Sequence, residues 1–333
     1  MQRKYSFIIP VYNRPQEVRE LLESFEMLDF RDGFEIVIIE DGSTETSEHV
    51  VAEFSQKVSI SYYFKSNSGP GDSRNFGMEQ AKGNYFIILD SDCLLPPHYL
   101  KVVDSFLNKN FHHCFGGADA AHKNFTPLQK AINYAMTSFF TTGGIRGNKT
   151  SVNSFEPRSF NMGISKEAFE KTRGFAKIHP GEDPDLSQRI LKAGFKTTFL
   201  PDAFVYHKRR ISWEKFYVQV KKFGLVRPIL NSWHPSAAKI TFWFPTFFIF
   251  FVSLSIVFSL FFSFWILAPL FLYILVIFVD SSFKNKSFYI GLLSIKAVFI
   301  QFFGYGFAFL KSSILINLLK KDPEKQFPSL FFK

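Results

Sequence analysis

Short β-branched and aromatic runs at 5–9 (YSFII), 35–39 (EIVII), 58–64 (VSISYYF) and 85–89 (YFIIL) punctuate the first hundred residues. Between them, 15–27, 44–54 and 71–81 read as helices. Strand and helix in alternation predict parallel βαβ units, an α/β domain whose mostly parallel sheet carries helices on both faces. Further on, Leu186, Ile190 and Ala193 recur at i, i+4 and i+7, one buried helix face with Gly194 as its stop. Asp183 before Pro184 reads there as an N-cap with proline at the first helical position. From Trp213 the apolar residues Trp213, Phe216, Tyr217, Val220 and Phe223 share one face, opposite Lys215, Gln219 and Lys222. That is the pattern of a helix lying in a membrane interface.

The pattern then changes. Residues 240–279 contain no charge; as helix they would run about 60 Å, twice the roughly 30 Å hydrocarbon core of a bilayer. Ser263 marks a turn between two spans, and Pro269 offers instead a kink within the second. A further apolar stretch, 288–319, carries Lys296, Gln301 and Lys311 and reads either as a third span or as an interfacial helix. The organisation expected is an α/β domain over 1–210, an amphipathic connection over 211–239 and two transmembrane helices over 240–280. A cytoplasmic loop, third membrane-associated helix and basic tail follow over 281–333. Basic residues in 207–239 and the lysines of 280–287 belong in the cytoplasm by the positive-inside rule, which predicts a two-span hairpin in the inner membrane with the α/β domain facing the cytosol.

Composition agrees with two joined parts: of 45 phenylalanines among 333 residues, 22 fall in 240–333. A hydrophobic content of 47% excludes disorder, and two cysteines exclude a disulfide scaffold. Cys93 and Cys114 read as reduced thiols. The N-terminal apolar run, interrupted by Pro10, does not make a signal peptide. The net charge of +10 would suit nucleic acid, a membrane or phosphorylated substrates. Because the basic residues gather beside the apolar stretches while the soluble half carries acidic motifs, nucleic acid is not expected.

Ligands of open α/β sheets bind at the carboxyl ends of the strands. Those ends read Pro10-Val11-Tyr12-Asn13, Glu40-Asp41-Gly42-Ser43 and Asp90-Ser91-Asp92. No GxGxxG follows the first strand and no GxxxxGK[ST] occurs anywhere, so dinucleotide and P-loop readings fail. The carboxylates of Asp90 and Asp92 are hard oxygen donors suited to Mg²⁺ or Mn²⁺.

In order along the chain stand FIIPVYNRP, VIIEDGST, GPGDSRNFGMEQAKGNYFIILDSD, FNMGISKEAFEKTRGF and GEDPDLSQRI. From about Ser6 to His207 this series resembles family 2 glycosyltransferases of the GT-A nucleotide-diphospho-sugar transferase fold. The resemblance implies that Pro10, Tyr12, Asn13, Asp41, Arg74, Asn75, Asp90 and Asn161 contact a nucleotide-sugar donor. Of these, Asp41 would meet the nucleoside, Arg74 and Asn75 the diphosphate and base, Asp90 the ribose and Asn161 the sugar. It implies a divalent cation, Mn²⁺ or Mg²⁺, on Asp92 and His207. It makes Asp183 the base that deprotonates the acceptor hydroxyl, with Glu182 orienting the acceptor and Asp185 in reserve. The QxxRW motif of processive members is absent; Lys208-Arg209-Arg210-Ile211-Ser212-Trp213 stands there. The function implied is inverting transfer of a single sugar to a lipid-linked or membrane-proximal glycan, as in cell-surface polysaccharide synthesis. A polyprenyl-phosphate sugar synthase and a non-catalytic scaffold that binds nucleotide sugar are the alternatives.

Overall fold

The computed structural model describes residues 4–30, 33–120, 125–142, 155–207 and 212–332. They form two compact units. The first consists of the residues before 122, residues 155–207 and the pair Phe331-Phe332. The second consists of 125–142 and 212–330.

In the first unit the strands are β1 (Tyr5–Val11), β2 (Phe34–Asp41), β3 (Ile60–Lys65), β4 (Tyr85–Leu89), β5 (Cys93–Leu94), β6 (Cys114–Ala120), β7 (Asn161–Ser165) and β8 (Thr197–His207). They make one sheet in the order β3-β2-β1-β4-β7-β6-β8-β5. β1 to β4 are parallel, with Ile8 level with Val37 on one side and Ile88 on the other. β7 then runs antiparallel to both β4 and β6.

Successive strand side chains point to opposite faces, and here both faces are apolar, as expected where helices cover a sheet on both sides. Phe7, Ile9, Ile36, Ile38 and Ile87 face Val18, Leu22 and Phe25 of α1 (Pro15–Glu26) and Leu100 and Val103 of α4 (Tyr99–Lys109). Between those helices in sequence come α2 (Glu48–Phe54) and α3 (Pro70–Gln80). Ile8, Val37, Ile39, Phe86 and Ile88 pack with Met78 of α3, Phe169 of the helix Lys166–Thr172 and Leu186 and Ile190 of the helix Glu182–Lys192. Each such side chain contributes about 1.5–3 kcal/mol by leaving water. Gly77 is what lets α3 lie so close to the sheet: a β-carbon there would stand 2.5 Å from Ile39 Cδ1 and 2.7 Å from Ile8 Cγ2.

The second unit holds α5 (Pro127–Thr137), α6 (Phe139–Thr142), α9 (Trp213–Trp233), α10 (Phe244–Phe261), α11 (Ala268–Asn285) and α12 (Phe288–Ser312), with α7 (Lys166–Thr172) and α8 (Glu182–Lys192) intervening in the chain. Three stretches, Ile240–Phe261, Phe264–Asn285 and Phe288–Leu318, are helical, long and apolar enough to cross a membrane. Ser263 is the turn between the first two, its Oγ accepting from Trp265 N at 3.3 Å. Pro269 lies in the first turn of α11, where its missing N–H disturbs no helical bond, so it makes no kink.

Two expectations are corrected here. The apolar face of α9 is not open to a bilayer interface: Phe216 and Val220 are buried in one cluster with Ala297, Val298 and Phe302 of α12. Tyr217, counted on that face, is instead exposed. A helix with an apolar stripe satisfies it equally well against another helix. Residues 125–142, expected within a continuous domain over 1–210, cluster with the second unit. There the Tyr134 hydroxyl donates to Asp280 Oδ2 at 2.7 Å, and Lys284 bonds the same oxygen at 2.9 Å.

Candidate active site

The carboxyl ends of β1 and β2 are tied together by Asn13, whose positive φ of 53° asparagine tolerates better than most residues. Its N–H donates to Ser43 Oγ at 2.8 Å, and its Oδ1 accepts from Thr44 N at 2.8 Å and Glu45 N at 3.0 Å. Tyr12 beside it is 52% exposed and Pro10 partly buried. Asp41 is buried and braces the loop after β3: Oδ1 accepts from Lys65 Nζ at 2.8 Å and Ser68 N at 3.0 Å, and Oδ2 from Gly69 N at 2.9 Å.

Arg74, in the second turn of α3, is only 4% exposed. Its Nη2 donates to Asp90 Oδ1 at 2.9 Å and its Nη1 to Glu182 Oε1 at 3.1 Å, while its guanidinium stands 5.3 Å from the Phe175 ring. Burial alone would lower its pKa, but the charges of Asp90, Glu182 and Asp183 outweigh burial and raise it. Its Nε is buried without a hydrogen-bond partner. The amide of Asn75 clasps the backbone of Phe175, donating to the carbonyl at 2.9 Å and accepting from the N–H at 2.8 Å. These bonds make Asn75 a support of the aromatic surface beside Arg74.

Asn161 is also engaged within the fold. It is 0% exposed, its Oδ1 accepts from the Tyr99 hydroxyl at 2.6 Å, and its Nδ2 donates to the carbonyls of Ala203 at 2.8 Å and Ala118 at 3.2 Å. With its amide so engaged, it struts the sheet between β7 and β8.

Helix α8 starts two residues earlier than the sequence predicted. Gly181, with φ of 122°, is its N-cap, so Glu182 is the first helical residue, Asp183 the second and Pro184 the third. Proline is tolerated there because first-turn N–H groups have no intrahelical acceptor. Glu182 Oε1 receives Arg74 and lies 2.8 Å from His179 Nδ1. Burial works against its ionisation, yet the bond to His179 and the charges of His179 and Arg74 prevail and hold Glu182 below the usual carboxylate range. Asp183 goes the other way. Burial and the neighbouring Glu182 charge push its pKa up to about 6, against a smaller pull from Arg74, Arg158 and Ser159. Asp183 Oδ1 is buried with no hydrogen-bond partner. Asp185, the reserve base, is taken by Arg189, which bonds its Oδ2 through Nε at 2.9 Å and Nη2 at 2.6 Å.

Asp90 and Asp92 leave β4 side by side, Asp90 on Arg74 and Asp92 with Oδ2 3.8 Å from Arg14 Nη1. His207 is described by its backbone alone, paired with Cys93; its side chain lies outside the described residues, as do residues 208–211. Among the described residues no group of three or more His, Cys, Asp or Glu could hold a metal. The donor chemistry nevertheless suits Mg²⁺ or Mn²⁺, which characteristically take one or two carboxylates and complete their shell with phosphate oxygens and water.

Sequence reasoning missed His179, Lys65 and Phe175. His179 carried a signal, its i, i+3 spacing to Glu182. Lys65 and Phe175 reach Asp41 and Arg74 only through folding.

The family described as Glycosyl transferase family 2 matches residues 6–173, half of the chain. An uncharacterized glycosyltransferase of Rickettsia felis is 37% identical over 141 residues, 41% of this chain and 22% of that protein. The poly(ribitol-phosphate) beta-N-acetylglucosaminyltransferase TarS of Staphylococcus aureus is 33% identical over 113 residues, 33% of this chain and 19% of TarS. The chain thus spans about a fifth of the length of these curated relatives. Among solved structures, the mannosyltransferase PcManGT from Pyrobaculum calidifontis, in complex with GDP-Man and Mn²⁺, superimposes with a TM-score of 0.56 at 14% identity. That match covers 97% of this chain and 89% of PcManGT, and it speaks for the fold alone.

Proposed function

Because the chain belongs to glycosyl transferase family 2, and is therefore an enzyme of that class, we propose that it moves one sugar from a nucleotide-diphosphate donor to a hydroxyl of a lipid-linked or membrane-proximal glycan, with inversion. The observation that carries the reading is the cluster at the carboxyl edge of the sheet. Arg74 joins Asp90 to Glu182, and the adjacent Asp183 keeps a raised pKa and a buried oxygen without a partner.

Asp183 is the general base in this reading. A carboxylate in the first turn of a helix sits in the positive end of the dipole, and a pKa near 6 leaves it ionised at neutral pH yet basic enough to take a proton. The acceptor oxygen bonds to the anomeric carbon as the bond from that carbon to the diphosphate oxygen breaks; the acceptor proton passes to Asp183. Glu182, already committed to Arg74 and His179, orients the pair. Arg74 faces the charge that develops on the leaving diphosphate, and Pro10, Tyr12, Asn13 and Asp41 line the donor side. The polyprenyl-phosphate alternative needs no such base, because a phosphate acceptor is already ionised.

A divalent cation on Asp92, with His207 as a further ligand, would neutralise diphosphate charge when bound. Chelation is expected to abolish transfer, Mn²⁺ or Mg²⁺ to restore it, and Asp92→Asn to be beyond rescue. Full activity in chelator would remove the cation from the scheme.

The enzyme works at a membrane in this proposal, its catalytic unit in the cytosol. Three helices are long enough to span, yet an even number of crossings is favoured. Phe331 pairs with Ile178 of the catalytic unit. Between α12 and Phe331 stand Lys320, Lys321, Asp322, Glu324 and Lys325. A third crossing would require those charges and an unpaired backbone to return through about 30 Å of hydrocarbon. Near the other end, Asp280 and Lys284 meet Tyr134, on a segment joined at both ends to the catalytic unit. The hairpin of α10 and α11 then crosses twice and α12 stays on the catalytic side. Cysteines substituted for Lys284 and Lys320 are expected to label only after permeabilisation, and one at Ser263 in intact cells. Labelling of position 320 from outside would mean three spans.

A further inference from the structure

The pair Phe331-Phe332 lies more than 120 residues beyond His207, the nearest residue of the site in sequence, yet it touches two of the site's loops. Phe331 forms an antiparallel bridge with Ile178, and Phe332 N donates to Lys177 O at 2.9 Å. The Phe332 ring covers Gly69, where a β-carbon would come within 2.2 Å of its Cδ2. Gly69 has a φ of +91°, gives its N–H to Asp41, and opens the helix that carries Arg74. On its other side the ring is 6.0 Å from the imidazole of His179, which lies on Glu182. One side chain therefore bridges the turn before α3 and the loop before α8, the two segments that deliver Arg74 and Glu182 to each other across 108 residues.

We propose that Phe331 and Phe332 are positioning residues of the transferase site: they clamp the 177–181 loop against the Gly69 turn, so that the Glu182-Asp183 pair stands in register with Arg74. The inference rests on the roles given above to Glu182 and Asp183. The two loops differ in what else holds them. The Gly69 turn is also fixed by Asp41, whose carboxylate accepts from the N–H groups of Ser68 and Gly69, whereas the 177–181 loop ends in Gly181, a residue of high conformational freedom. Loss of the clamp is thus felt at the acid pair more than at the donor. Misplacement of a catalytic group by about 1 Å costs on the order of 10²-fold in rate.

In the full chain, Phe332→Ala is expected to lower kcat by about 10- to 100-fold while donor affinity, read by calorimetry, changes far less. Phe332→Leu, which keeps an apolar side chain over Gly69, is expected to recover most of the loss. Since the ring acts through His179, the double variant Phe332→Ala/His179→Ala should be no slower than the slower single variant. If Phe332→Ala does not fold, Phe332→Val, whose side chain is too short to span from Gly69 to His179, takes its place in the same cycle. An unchanged kcat, or single losses that multiply in the double variant, would overturn the clamp. Asp183→Asn assayed alongside separates the two readings: its full activity brings down the base and this inference with it, whereas its inactivity beside a fully active Phe332→Ala brings down the clamp alone.

Discussion

Asp183→Asn is expected to cut transfer by about 10²–10⁴-fold, the usual worth of a general base, and to leave donor affinity close to that of the parent. The amide has nearly the same shape and keeps the first turn of α8 intact, but it cannot accept the acceptor's proton. The raised pKa adds a pH signature. Asp183 acts only when ionised, so kcat/KM should fall as the pH is lowered through about 6. Glu182→Gln should move that limb to lower pH, because the Glu182 charge is one of the forces raising the Asp183 pKa and its removal leaves Arg74 to pull the other way. A pH profile whose acid limb survives in Asp183→Asn would assign the base elsewhere. Collapse of donor affinity together with activity would make Asp183 a structural residue of the helix start.

The second large effect is expected at Arg74. Arg74→Met removes the cation that pairs with both Asp90 and Glu182. Breaking a buried pair by taking one partner costs about 3–5 kcal/mol, chiefly because the remaining charge is left uncompensated. The variant should unfold at a lower temperature and lose transfer by about 10²-fold or more, the scale of a lost electrostatic contact to developing charge. Arg74→Lys should not restore activity, since a single ammonium cannot bond two carboxylates in the fork geometry of the guanidinium. Thermal unfolding and steady-state transfer on the three proteins check both parts; parent-like turnover in Arg74→Lys would show that a point charge suffices.

Much of this protein was determined locally. The βαβ half was legible because its strands are short β-branched runs and its helices show their apolar spacing, and neither needs the rest of the chain to be recognised. The expected run at 85–89 is β4 to the residue, and 15–27 differs from α1 by one position. The uncharged stretch 240–279 announced helices because hydrocarbon permits little else. The acidic clusters at the strand ends were visible for a similar reason, since a parallel strand ends where the backbone opens toward a cleft. Other features were set only when distant segments met. Asn75 and Asn161 look like ligand contacts in a motif, yet their amides are used up by Phe175 and by Tyr99, Ala118 and Ala203. Helix α9 has the stripe of an interfacial helix, and a stripe does not say whether lipid or another helix will cover it; α12 does. Asp183 gained its raised pKa from burial and Glu182, and Glu182 its ionised state from Arg74 and His179. Hydrophobic periodicity is written in neighbouring residues, whereas burial, the pairing of Arg74 with Glu182 108 residues away and the seat of Phe332 over Gly69 depend on parts of the chain brought together only by the fold.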